Sequence, residues 1–186
     1  MLIPGGGICA QTVDLSTNEA VLAELQGRVD AKRDIPGKKG GGKLDAKHVC
    51  IERLKESAKV IIIGFFRYDY GCHFDGAFVD SRYLERTDAA LSKNALKALG
   101  WDTANRDQRE RLAKLWVEKG LVAFFTVLYT KDKNFQASTF QPPQVISEHN
   151  GEVVVTLWVR LPSGNRGGTT EKFLEYRFSN DGDLKL

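Results

Sequence analysis

The chain has 186 residues, with 27 lysines and arginines against 24 aspartates and glutamates for a net charge of +3, and ordinary apolar and charged fractions. That length suits one domain with a substantial core, and so small a net charge does not demand a polyanionic partner. No run is long and apolar enough to span a bilayer as a helix, the longest being the core-sized residues 60–66.

Residues 1–11, small and apolar up to Ala10, read either as the tail of a secretory signal peptide or as a disordered N-terminus. The first alternative implies an extracytoplasmic, periplasmic or secreted setting. Cys9 sits near a lipoprotein position, but Gly7 and Ile8 do not fit such a site. Residues 12–29 carry a short amphipathic pattern through Val13, Ala20, Val21 and Leu25. Between Gly27 and Lys43 stand Arg28, Lys32, Arg33, Lys38, Lys39 and Lys43 against only Asp30 and Asp34. Residues 1–43 are therefore read as a signal remnant or flexible basic linker, and residues 44–186 as a single α+β domain.

The linker also spells GxxxxGK from Gly37 to Lys43. A phosphate-binding loop needs a Ser or Thr next and a buried strand before it, whereas Leu44 follows and polar residues 30–34 precede. Nucleic-acid binding is disfavoured too, because no aromatics interleave with the lysines.

The first firm helix is expected over residues 45–68. Asp45 is its cap, and Ile51, Leu54, Ala58, Ile61, Ile62 and Phe65 recur at helical spacing. The β-branched run at residues 60–66 suits a buried strand as well. In a helix, Cys50 and Cys72 would lie roughly 30 Å apart at about 1.5 Å per residue. A bond needs Cα atoms within about 7 Å, so the helix reading excludes a disulfide between them. A second helical region covers residues 81–99, with Gly100 after its end. A third runs over residues 105–119, capped by Asn105.

The period then changes. Residues 121–130 are apolar on both faces and read as a central strand. Residues 135–148 form another, interrupted by Pro142 and Pro143. Asn150-Gly151 marks a hairpin. After it, Val153, Val155, Leu157, Val159 and Leu161 alternate with more polar residues. The register predicted for the last hairpin pairs Arg160 with Glu171 and Trp158 with Phe173 on one face. On the other it pairs Leu157 with Leu174, Val155 with Tyr176 and Val153 with Phe178. Residues 162–168 are its rim loop. The expected fold is α+β, helices followed by an antiparallel four-stranded β-meander packed on a long helix.

This order, with Phe65-Phe66-Arg67-Tyr68-Asp69 closing the long helix and residues 78–84 opening the next, resembles the nuclear transport factor two-like superfamily, a cystatin-like cone. It is similar to bacterial exported members of that group. The resemblance implies a curved sheet around a long helix that leaves an open cone; some members are isomerases or dehydratases and many only bind or dimerise. It carries over no catalytic residue.

The densest reactive cluster is Tyr68, Asp69, Tyr70, Cys72, His73 and Asp75. Phe65, Tyr68, Tyr70 and His73 are the expected ligand-binding residues. His73 with Asp75 or Asp69 is the candidate acid–base pair of a lyase or isomerase; the competing reading is an aromatic surface turn. His48, His73 and His149 lack metal-ligand spacing, so no metal or cofactor is expected. Trp158, Arg160, Glu171 and Phe173 are the candidate interface, an aromatic patch with a polar rim, against the alternative of a plain cross-strand cluster. The function expected is a non-enzymatic, exported domain that binds a small apolar ligand or a protein partner, including a second copy. The His/Asp enzyme is the alternative.

Overall fold

The computed structural model describes residues 13–33, 44–67, 71–131, 135, 139–163 and 168–185. The chain divides into two units, Met1–Lys43 and Leu44–Leu186. In the first, α1 (Asn18–Arg33) begins where the Thr17 hydroxyl accepts from the Ala20 amide at 3.2 Å. One turn apart along it, Arg28 and Glu24 form an ion pair at 3.0 Å. The phosphate-loop-like run at residues 37–43 and the N-terminal residues 1–11 lie outside the described residues.

The second unit opens with strands, not with the expected long helix. After a single 3-10 turn, Ala46–His48, come β1 (Val49–Arg53), β2 (Val60–Arg67), β3 (Gly71–Val79) and β4 (Arg82–Glu85). They form an antiparallel meander in sequence order. The reason is steric. Val49, Ile51, Val60, Ile61, Ile62 and Ile63 are β-branched, and such side chains crowd the preceding helical turn but fit a pleated sheet. Ile61, Ile62 and Ile63 are buried in succession, so β2 is covered on both faces as its all-apolar run requires. Asp80 and Ser81 hold positive φ in the two-residue turn between β3 and β4, the conformation a tight hairpin needs.

The same correction reverses the exclusion of a disulfide. Cys50 on β1 faces Gly64, and Cys72 on β3 faces Phe66 across β2. The outer strands curl until the two Cα atoms are 6.3 Å apart, and Cys50 and Cys72 are bonded. Folding back at the hairpin brings together residues that a straight helix would hold apart. Gly64 is required beneath the curl, because an added Cβ would fall 2.7 Å from the His73 carbonyl oxygen.

The expected helix at residues 81–99 is confined to α2 (Leu91–Ala98), and Gly100 follows its end with φ +98°. Next comes α3 (Arg106–Trp116), begun by a reciprocal cap: Asn105 accepts from the Gln108 amide at 3.0 Å, and the Gln108 side chain accepts from the Asn105 amide at 2.8 Å. A π-turn, Val117–Leu121, then prolongs α3 into the run expected to be a strand. Gly120 lies flat on the Trp116 ring there, with no room for a Cβ. The strand expected at residues 121–130 therefore shrinks to β5 (Thr126–Leu128).

The second sheet adds β6 (Gln144–Ser147), β7 (Val153–Ser163), β8 (Gly168–Phe178) and β9 (Leu184–Lys185). β5 and β6 share one edge of β7, β5 beside residues 158–160 and β6 beside residues 153–156. The prolines at 142 and 143 precede β6 instead of interrupting it. The predicted β7–β8 register holds at each named pair, from Val153 with Phe178 to Arg160 with Glu171. The β6–β7 connection is longer than a two-residue turn. Glu148 and Glu152 still pair, and Gly151 alone takes positive φ, +80°.

The helices tie the sheets together: α2 packs on β3, α3 on β6 and β7, and the two helices on each other. One core runs through Ile62, Phe74 and Ala77 of the first sheet, Leu91, Ala95 and Leu96 of α2, Ala113 and Trp116 of α3, and Val155, Leu157 and Val159 of β7. The molecule is thus α+β, but with a sheet on each side of the helices in sequence.

Tyr176, opposite Val155, packs on that core, and burial pushes its phenol above the ordinary value of 10.0. Below that value folded and unfolded chains both hold the proton. As pH rises through it, only the unfolded chain ionises, so stability falls until the folded phenol also titrates. Tyr176→Phe is expected to flatten the alkaline loss of stability, read from urea midpoints between neutral pH and about pH 11. Identical slopes would contradict that placement.

Candidate functional site

Register decides which side chains share a face. Val153, Val155, Leu157 and Val159 turn to the core, so Val154, Thr156, Trp158 and Arg160 point to the other face of the second sheet, where Val154 and Thr156 are also buried and Trp158 and Arg160 are partly exposed. Trp158 there meets Phe173 at 5.5 Å between ring centroids. The β5–β6 connection adds Phe135, edge-on to Trp158 at 5.1 Å and to Phe140 at 5.1 Å. Offset and edge-on aromatic pairs of this kind are each worth roughly 0.5–1.5 kcal/mol beyond their burial. Phe135 is buried by this packing, while Phe173 keeps 43% of its surface exposed. Ile146 on β6, opposite Val154 and so on the same face, is 52% exposed.

Beside the rings, Arg160 donates to Glu171 at 2.8 Å, with side chains only 20% and 9% exposed. The four residues expected to form an interface are therefore brought together. The strand expected over residues 135–148 is confined to β6, and Phe135 and Phe140 lie in the connection before it, which is how they come to join the aromatic cluster.

The aromatic end of the β2–β3 hairpin divides differently. Tyr68, Asp69 and Tyr70 lie outside the described residues. Phe65 is half-buried and pairs with His73 across the strands. His73 meets the edge of Phe125 at 6.1 Å. Asp75 falls where the β2–β3 register skips a residue, and its carboxylate accepts from the Tyr83 hydroxyl at 2.5 Å. That bond gives Asp75 a structural partner on β4. Phe66, 42% exposed, stacks on His48 at 6.2 Å. Among the described residues no group of three His, Cys, Asp or Glu side chains converges to hold a metal ion.

His149 belongs to another neighbourhood, a cleft between the start of α3 and the β6–β7 turn. No local pattern marks it, because its walls come from residues more than thirty positions apart.

No protein-family model matches the chain, and no curated protein or solved structure gives a significant match. No helix among the described residues is long and apolar enough to cross a membrane.

Proposed function

We propose that the chain is a non-enzymatic binding domain whose partner docks on the outer face around Trp158 and Phe173, and that this partner is a second copy of the chain. The observation that carries the reading is Phe173, held against Trp158 on a rigid strand with 43% of its surface left to solvent. Rigid aromatics fixed by neighbours are the residues that dominate interface energetics. A two-fold interface requires one patch to carry its own complement. Arg160 and Glu171, paired with each other beside the rings, leave no uncompensated charge there for a second copy to oppose.

The Cys50–Cys72 disulfide supports an oxidising, extracytoplasmic setting for the domain, because such bonds persist there and are rare in the cytosol. A small apolar ligand in a cone-shaped pocket is a weaker reading. The described clefts are lined by polar and charged side chains as well as by carbon, Arg106, Ser147 and Glu148 in one and Thr103, Gln108 and Arg111 in the other.

The test is a concentration series of the isotope-labelled protein by NMR. Shifts that depend on concentration and cluster at Thr156, Trp158, Arg160, Glu171 and Phe173 are expected. Spectra that do not change with concentration, or changes confined to other surfaces, would reject self-docking on this face.

A further inference from the structure

We propose that the cleft between the first turn of α3 and the β6–β7 turn binds a small oxyanion, a phosphate or carboxylate group carried by a small molecule. Its volume is about 350 Å³, within the range of small-molecule sites. Ala104, Arg106 and Arg109 form one wall, and Ser147, Glu148, His149, Gly151 and Val153 the other. Val153 turns to the face of β7 opposite Trp158, so this site is separate from the aromatic patch.

The charges in the cleft do not cancel. Glu148 is already paired, taking Arg177 at 2.8 Å. Glu110, just behind the wall, accepts from the Ser147 hydroxyl at 2.6 Å and attracts Arg106 at 3.5 Å. Arg106 also donates to the Ser147 carbonyl at 3.0 Å, which ties the helix to the turn. Among the described residues Arg109 forms no ion pair. Its guanidinium lies over the Trp101 ring, 5.4 Å from the centroid, and its buried Nε finds no hydrogen-bond acceptor.

A buried donor left without an acceptor is costly, and a guanidinium held over a ring keeps its planar fork available to grip two oxygens at once. An oxyanion in the cleft supplies acceptors for the remaining guanidinium donors of Arg109, which lines it, with His149 as a further donor. The reciprocal Asn105–Gln108 cap occupies the helix terminus, so recognition falls to these side chains.

The opposite wall is fixed in place. Asn180 donates to the Asn150 carbonyl at 3.1 Å, and at Gly151, with φ +80°, an added Cβ would collide with the Asn180 side chain.

The experiment titrates the full chain with inorganic phosphate and, in separate arms, with citrate, each against chloride at matched ionic strength. Calorimetry gives the affinity, and the Arg109 Nε–H resonance gives the location. Saturable binding that moves that resonance is expected, and the stronger arm assigns phosphate or carboxylate. Arg109→Gln should weaken binding by roughly tenfold or more, the scale of a lost charge-assisted hydrogen bond. Arg109→Lys keeps charge and stacking but loses the fork, and should fall between. His149→Ala, at an exposed position, checks the same site without touching Trp101. Absence of saturable binding in both arms, or affinities unaltered in Arg109→Gln and His149→Ala, would overturn the proposal.

Discussion

Removing the Cys50–Cys72 bond, by reduction or by the Cys50→Ser/Cys72→Ser double variant, is expected to lower the unfolding free energy by about 3 kcal/mol. The cysteines are 22 residues apart, and closing a loop of that length removes about that much entropy from the unfolded chain. The bond spans the two strands that flank β2, so its loss also frees the curl of the first sheet. A denaturant titration of oxidised and reduced protein measures the effect as a lower midpoint. Equal midpoints, with Cys50 and Cys72 both free alongside Cys9 in the native protein, would place Cys50 and Cys72 apart and overturn the strand assignment of residues 49–79.

Trp116→Ala should cost about 4 kcal/mol, the scale for deleting a buried aromatic. Trp116 has no exposed surface, stands edge-on to Phe74 at 6.3 Å and donates to the Ser92 hydroxyl at 3.0 Å. It joins α3 to the first sheet and to α2 together. Trp116→Phe keeps most of the volume but leaves buried Ser92 without its donor, and should cost about 1–2 kcal/mol. Phe173→Ala, on the outer face, loses its pairing with Trp158 and a partly covered ring and should cost about 1–2 kcal/mol, well below Trp116→Ala. Equilibrium unfolding of the three variants checks this order. A large loss at Phe173 with a small one at Trp116 would mean that the outer aromatic face, not the helix–sheet contact, is the core.

The second sheet was legible because its signals were local. Alternation along β7, opposite charges at Arg160 and Glu171, and the bulk of Trp158 and Phe173 each favour one register, and they agree. The Asn105 cap and the Gly100 stop were legible for the same reason. The first sheet was misread because residues 51–65 satisfy helical spacing as well as strand preference. Deciding between them depends on β3, which no short window contains. The disulfide followed that error, since an assumed helix fixed a distance that the hairpin abolishes. The meeting of Trp158, Arg160, Glu171 and Phe173 was reachable from register alone. The cleft at Arg109 depends on a helix and a turn meeting in space, for which periodicity carries no signal.

Sedimentation velocity of the wild type and of Phe173→Ala, each across a wide concentration range, tests the proposed role most directly. The wild type should pass from monomer to dimer as concentration rises, and Phe173→Ala, still folded, should stay monomeric. A wild type that remains monomeric throughout, or a variant that dimerises as readily, would contradict the docking face proposed around Trp158 and Phe173.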